Sequence, residues 1–139
     1  MNSLEKAKKL LAEGGYTCVL CGGDKEYTSH ERGVKPLLDL LERKTELRGF
    51  SAADRVVGKA AAFLYVLLGV KEVHAGVISV PAAGVLERFH IAATWEEQVD
   101  AIVNRTKTGF CPMESAVWNV EEPEAARKAI VEKLLALKE

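Results

Sequence analysis

The sequence predicts an α/β fold, a three-layer αβα sandwich with a mixed sheet, in a single domain over residues 1–139. Segments with helical periodicity alternate with short β-rich runs, and this alternation favours a partly parallel sheet covered by helices. Residues 73–80 are apolar enough for a strand buried on both faces. Residues 60–68 are apolar on every side of a helix, apart from Tyr65, so we predict a helix surrounded by other elements.

The first part of the chain predicts two helices and a hairpin. Apolar residues recur at helical spacing over residues 3–13, and two glycines end that helix. Residues 16–21 and 26–29 are predicted strands joined by a turn at residues 22–24, with the second strand at an edge of the sheet. A second helix is predicted to begin near Pro36, since proline suits the first helical turn.

A long central helix is predicted over residues 51–68, with Ser51 as its N-cap and a glycine at its end. After the buried strand, Pro81 opens a further helix and residues 90–95 form a strand. Residues 96–104 are ambiguous, because their apolar positions also fit a short helix.

The C-terminal part predicts a polar loop and two helices. The loop occupies residues 105–109, a short helix begins at residues 111–114, and the last helix begins at residues 122–123. Proline stands at both helix starts, which is a common first-turn position.

The composition is that of an ordinary globular protein. Of 139 residues, 48% are hydrophobic and 28% are charged, and the formal net charge is −1. This balance does not favour nucleic acid as a partner, and the apolar run after Lys59 is shorter than the ~20 residues that span a bilayer. Three cysteines do not suggest a disulfide framework, and the N-terminus lacks a signal-peptide core. We therefore expect a cytoplasmic protein without membrane attachment.

Two predicted helix starts carry the side chains best suited to chemistry. One holds Ser51, Asp54 and Arg55, and the other holds Cys111 and Glu114. Helix N-termini attract anions through free amides and the macrodipole, so both starts are candidates for binding a small polar or anionic ligand. A thiol ahead of a helix start is favoured as the thiolate, which makes Cys111 the candidate nucleophile. Alternatively, the acids only complement the dipoles and Cys111 is a packing residue.

Two other segments have suggestive spacing. Arg105 and Lys107 lie beside a glycine in the polar loop, which is compatible with anion binding, although a solvated loop is the favoured explanation. No Walker or Rossmann glycine pattern occurs, and we expect no cofactor. Cys18 and Cys21 have the spacing of a redox or metal pair, but residues three apart in a strand face opposite sides. We therefore expect buried free thiols and no metal site.

The two helix starts resemble those of the cytidine deaminase-like superfamily. In that superfamily one helix begins with a zinc-binding His or Cys, an Ala and a catalytic Glu, and a second begins with Pro-Cys-x-x-Cys. Aligned in this way, Ala52 takes the first ligand position, Asp54 the Glu position, and Met113 and Ala116 the two cysteine positions. The resemblance thus implies a deaminase-like fold without its zinc ligands, and zinc-dependent deaminase activity is not expected.

Almost the whole chain is also similar to an uncharacterised bacterial and archaeal family, a domain of unknown function with a deaminase-like fold and no zinc site. The similarity is carried by residues 31–33, 53–62, 75–79, 103–105 and 111–114. It implies the three-layer αβα fold and brings no established activity.

Three functions are therefore hypotheses. The first is a zinc-free protein that binds a nucleotide-like or other polar metabolite; its ligand-binding residues would be Ser51, Arg55, Arg105, Lys107 and Glu114. The second is a metal-independent enzyme with Cys111 as nucleophile and Asp54 or Lys59 as proton carrier. The third is an interaction or assembly module, for example a homo-oligomer, in which an edge strand pairs with another subunit.

Overall fold

The computed structural model describes residues 2–31, 33–103 and 111–137. In chain order the elements are α1 (Ser3–Gly14), β1 (Cys18–Gly22), β2 (Lys25–Ser29), α2 (Lys35–Glu42), β3 (Ser51–Val57), α3 (Lys59–Leu68), β4 (Glu72–Ser79), α4 (Val80–Arg88), β5 (Ala92–Val99), α5 (Pro112–Val117) and α6 (Pro123–Leu137). The predicted hairpin, edge strand β2 and helices at both ends of the chain are present.

The five strands form one mixed sheet in the order β2-β1-β3-β4-β5. Strand β1 is antiparallel to both of its neighbours, whereas β3, β4 and β5 run parallel. Helix α3 connects β3 to β4, and α4 connects β4 to β5, as parallel neighbours require. Helix starts therefore follow directly on the C-terminal ends of two parallel strands.

Helices cover both faces of the sheet, which confirms the predicted α/β fold class. On one face, α1 buries Ala7 and Leu11 against Val19, Cys21 and Ala53 of the sheet. On the other face lies the larger core, to which α2 to α6 contribute. The two cysteines of β1 belong to these two separate cores, as strand geometry predicted.

Helix α3 is the centre of the larger core. It packs against β3 and against the helices α2, α4, α5 and α6, and all its residues except Val66 and Leu67 are buried. Gly58 is its N-cap, and Gly69 ends it in the left-handed conformation at φ 79°. The predicted burial of an all-apolar helix is confirmed for this segment.

The prediction that one helix covers residues 51–68 is wrong. Its first seven residues form β3, between β1 and β4, and the helix begins only at Lys59. The alanines in this segment favour a helix, but pairing with strands on both sides overrides that local preference. Ser51 is consequently not an N-cap, and Asp54 does not lie in a helix.

Two boundaries also differ from the prediction. Strand β5 continues through Val99, where a short helix was the alternative, because its backbone pairs with β4 as far as Ser79. Helix α4 begins at Val80, and the Ser79 hydroxyl accepts a hydrogen bond from the Ala82 amide as its N-cap.

Among the described residues, no helix is long and apolar enough to cross a membrane.

Candidate functional site

A cavity of about 660 Å³ lies where β3 ends and α3 begins. Its wall includes the start of β1, the end of β3 and the first turns of α3 and α5. Alanine, valine, isoleucine and methionine side chains supply the apolar part of the wall. The polar part comes from Thr17, Cys18, His30, Glu31, Asp54, Arg55, Cys111 and Glu114. A smaller cavity, of about 180 Å³, lies beside the hairpin and α2 and contains none of the predicted site residues.

Glu114 joins two helix starts at this cavity. It stands in the first turn of α5, is 2% exposed, and its Oε1 accepts a hydrogen bond of 3.2 Å from the Ala60 amide of α3. Gly58 permits this contact, because a Cβ at that position would overlap Glu114 Oε1. Since the N-cap glycine has no side chain, the Glu114 carboxylate serves as the cap of α3.

The second oxygen of this carboxyl has no hydrogen-bond partner among the described residues. Among the buried side-chain nitrogen and oxygen atoms of the described residues, Glu114 Oε2 alone lacks a hydrogen bond. Burial raises the pKa of Glu114, and this rise is opposed by the hydrogen bond from the Ala60 amide and by the nearby amide and ammonium charge of Lys59. An unmade hydrogen bond at a buried acceptor costs about 1–3 kcal/mol, so a donor placed at Oε2 would be stabilised.

Asp54 is the other carboxyl group of the site whose pKa is perturbed. Its Oδ2 accepts a hydrogen bond of 2.7 Å from the Tyr65 hydroxyl, and its Oδ1 accepts one of 3.2 Å from the Val56 amide. The Tyr65 hydroxyl also lies 3.2 Å from Cys18 Sγ, and Cys18 is the β1 residue that pairs with Asp54. Burial raises the pKa of Asp54 from 3.8 to about 6, although the Tyr65 and backbone hydrogen bonds oppose the rise.

Arg55 and Cys111 also line the cavity. Arg55 is exposed, and its guanidinium donates hydrogen bonds to the Tyr16 carbonyl at 2.6 Å and to the Leu11 carbonyl at 3.3 Å. Cys111 is half-buried at the N-cap of α5, and its amide donates to the Ile102 carbonyl at 3.0 Å. The structure thus brings together Asp54, Arg55, Cys111 and Glu114 at one cavity.

Two predicted site residues lie elsewhere. The Lys59 ammonium donates to the Trp118 carbonyl at 3.0 Å and lies 3.4 Å from Glu121 Oε1, and Lys59 does not line the cavity. Ser51 stands at the opposite end of β3, about 20 Å along the strand from its last residue. There its hydroxyl donates to Glu72 Oε2 at 2.6 Å.

The remaining two predicted ligand-binding residues, Arg105 and Lys107, lie outside the described residues. They fall in sequence between Val103 and Cys111, both of which line the cavity. Their predicted role in binding an anionic group stays a prediction.

Sequence reasoning missed Tyr65, Cys18 and the two residues His30 and Glu31 after the hairpin. Tyr65 had a usable signal, since it is the one polar side chain among residues 60–68, and a buried hydroxyl normally has a hydrogen-bond partner. His30 and Glu31 gave no such signal, because only the folded hairpin brings them to the cavity. In the part of the chain that the structure describes, no three His, Cys, Asp or Glu side chains cluster so as to hold a metal ion.

Comparison with known proteins identifies a family. The family described as "Domain of unknown function (DUF1893)" matches residues 6–134. The crystal structure of a DUF1893 family protein, TM1506 of Thermotoga maritima, is 26% identical with a TM-score of 0.88, over 95% of this chain and 90% of that one. A diaminohydroxyphosphoribosylaminopyrimidine deaminase/5-amino-6-(5-phosphoribosylamino)uracil reductase of the same organism gives a TM-score of 0.42 at 13% identity, over 68% of this chain and 35% of that one. No curated protein matches. The chain belongs to the DUF1893 family.

Proposed function

We propose that this protein binds a small polar molecule, a nucleotide-like or other polar metabolite, in the cavity between β3 and α3. The observation that carries the proposal is one cavity of about 660 Å³ that holds two carboxyl groups with raised pKa values, those of Asp54 and Glu114. Ligand pockets typically measure ~300–1,000 Å³ and combine apolar walls with a few convergent polar groups. Perturbed pKa values concentrate at functional sites.

The position of the cavity supports the same proposal. Ligands of open α/β sheets bind outside the carboxyl ends of the parallel strands, and the cavity lies at that end of β3. Here the antiparallel strand β1 also begins, so the two sheet directions meet at the pairing of Cys18 with Asp54. Side chains from several elements therefore meet at this end of the sheet, where the antiparallel strand β1 begins and the parallel strand β3 ends.

Zinc independence and a deaminase-like ancestry of the cleft are part of this proposal. Their support is the sequence resemblance, in which none of the matched ligand positions holds His or Cys. The first half of that alignment falls on β3 rather than on a helix, so it does not place Ala52 and Asp54 at a helix start. The support that remains is the second half, which coincides with the start of α5. Elemental analysis of the purified protein tests the zinc claim, and one tightly bound zinc ion per chain would contradict it.

The binding proposal is tested by a thermal-shift screen of nucleosides, nucleotides and polar metabolites, followed by calorimetric titration of each stabilising compound. Asp54→Asn should weaken binding, because it changes a lining carboxylate without changing side-chain size. Asp24→Asn is the matched control, since Asp24 is exposed and lies outside the cavity. Failure of every compound to bind, or equal affinity for both variants, would contradict the proposal.

A second candidate function is a metal-independent enzyme with Cys111 as its nucleophile. It is favoured by the presence of Cys111 and Asp54 on one cavity wall, because a carboxyl with a pKa of about 6 can exchange protons near neutral pH. Of the two candidate proton carriers, Asp54 lines the same cavity as Cys111, whereas the Lys59 ammonium contacts Trp118 and Glu121.

The rate of alkylation by iodoacetamide tests this candidate. An activated Cys111 should react faster than a free thiol in solution, and Asp54→Asn should change that rate. Cys21 serves as an internal control, because it is buried in the separate core beneath α1 and burial raises its pKa. A Cys111 rate no faster than that of a free thiol would contradict the enzymatic role.

A further inference from the structure

Among the described residues that line the cavity, carboxyl groups outnumber cationic side chains. Three carboxyl groups line it, those of Glu31, Asp54 and Glu114, and the one Lys or Arg side chain among the described lining residues is Arg55. The Arg55 guanidinium already donates to two backbone carbonyls. The described wall therefore offers more acceptors than free cationic donors to a ligand.

The start of α3 is already occupied by an anionic group of the protein. A free helix N-terminus attracts anions, but here the Glu114 carboxylate accepts a hydrogen bond from the Ala60 amide. Gly58 leaves the space that this carboxylate fills. An anionic ligand at the same place would have to displace Glu114 or lie beside its negative charge.

The same carboxylate leaves an acceptor unused. Glu114 is 2% exposed and lines the cavity, and its Oε2 has no hydrogen-bond partner among the described residues. Buried polar atoms are nearly always hydrogen-bonded, so this oxygen marks where a donor of the ligand belongs. Both O–H and N–H groups donate to a carboxylate, but the N–H donor can also carry a positive charge, which strengthens the hydrogen bond.

We propose that the ligand presents an N–H group of an amidine, guanidine or amino-substituted heterocycle to Glu114, so that at this position the site selects a neutral or cationic donor group over an anionic group. This inference rests on the proposed binding function, whose ligand class it specifies. The start of α3 and the buried carboxylate that caps it form one recognition unit, in which the Ala60 amide holds Oε1 and the ligand donates to Oε2.

Three compounds of nearly equal shape test the inference: benzamidinium, benzamide and benzoate. Affinities are measured by calorimetric or NMR titration of the full chain. We expect benzamidinium to bind more tightly than benzamide, and benzoate to bind at least tenfold more weakly than benzamidinium, given the strength of hydrogen bonds to charged groups. Benzoate affinity equal to or above that of benzamidinium would overturn the inference.

The variant Glu114→Gln tests the residue itself. Its amide oxygen can still accept from Ala60, whereas its amide nitrogen replaces the unused acceptor with a donor. Benzamidinium affinity should fall on the order of tenfold or more, and the preference over benzoate should shrink. Glu97→Gln is the matched control, because Glu97 is exposed on β5 and outside the cavity, and it should leave affinity unchanged. Unchanged affinity in Glu114→Gln would overturn the inference.

A third comparison separates the two proposals. If the metabolite screen yields cavity ligands but benzamidinium does not bind, the inference on ligand class fails and the binding function stands. If neither the screen nor the three probes bind, both fail. Thermal unfolding of both Gln variants shows that the changes in affinity are measured on folded protein.

Discussion

The raised pKa of Asp54 predicts that this residue makes the protein less stable as the pH increases. The folded state holds the Asp54 proton up to a pKa of about 6, whereas the ordinary value is 3.8. Between these two values the folded chain binds more protons than the unfolded chain, so the free energy of unfolding decreases with pH. The contribution of the Asp54 proton to the free energy of unfolding is fully present below the lower pKa and is lost above the higher one.

The size of this effect follows from the two pKa values. The difference between 3.8 and about 6 is roughly two units, and one unit corresponds to 1.36 kcal/mol. Asp54 should therefore lower the free energy of unfolding by up to about 3 kcal/mol between about pH 4 and about pH 7. Glu114, whose pKa burial also raises, adds a change in the same direction.

Comparison of the wild type with Asp54→Asn isolates the Asp54 contribution. The asparagine retains an oxygen that accepts from the Tyr65 hydroxyl but does not titrate, whereas Glu114 is common to both proteins. Urea unfolding at several values from about pH 4 to about pH 7 gives both free energies. Relative to the wild type, the free energy of unfolding of the variant should increase by up to about 3 kcal/mol as the pH rises.

If the difference in unfolding free energy between the wild type and Asp54→Asn stays constant with pH, the pKa of Asp54 is not raised in the folded protein. Carbon-13 NMR of the Asp54 carboxyl provides an independent check, with an expected titration midpoint near 6. A midpoint near the ordinary aspartate value would show that burial does not govern this group.

Two further substitutions test the contacts that support the site. Tyr65→Phe removes the hydroxyl that donates to Asp54. It should lower the free energy of unfolding by about 1.5–3 kcal/mol at neutral pH and move the Asp54 titration midpoint upward. An unchanged NMR midpoint would contradict this prediction. Gly58→Ala should cost about 1–3 kcal/mol, since its methyl group would overlap the Glu114 carboxylate. The control Gly84→Ala, in a helix with open space around the position, should instead stabilise by about 0.5–1 kcal/mol. Equal effects of the two alanines in urea unfolding would show that the overlap at Gly58 is relieved without cost.

The central helix shows how far local sequence patterns determine the fold. Residues 60–68 are apolar on every side, and this pattern alone identified the helix that the core surrounds. Local signals also favour a helix from Ser51 onward, namely two alanines and a serine that can serve as an N-cap. The signal for a boundary was present, since two β-branched valines precede Gly58, but only pairing with β1 and β4 decides the strand.

Local sequence signals predict those site residues whose position depends on a single short segment of the chain. Cys111 and Glu114 open a helix that the proline predicted, and both reach the cavity. Asp54 also lies there, although it stands in the middle of strand β3 rather than at a helix start. The sequence could not show that Glu114 caps α3, because that contact joins residues far apart in the chain.

Lys59 and Ser51 show the converse. Both lie close in sequence to Asp54, yet the Lys59 ammonium contacts the segment after α5, and Ser51 stands at the opposite end of the strand. Proximity in sequence predicts proximity in space only when the secondary structure is known. A strand separates residues that one or two helical turns would have kept together.

The most direct test of the central claim is an NMR titration of nitrogen-15-labelled protein with the compounds that stabilise it in the metabolite screen. The account predicts that amide shifts concentrate at residues of the cavity wall, such as Val56, Gly58, Ala61 and Cys111, and that Asp54→Asn reduces them. Shifts confined to surfaces away from this wall, for example on α6, would contradict the claim that this cavity is the binding site.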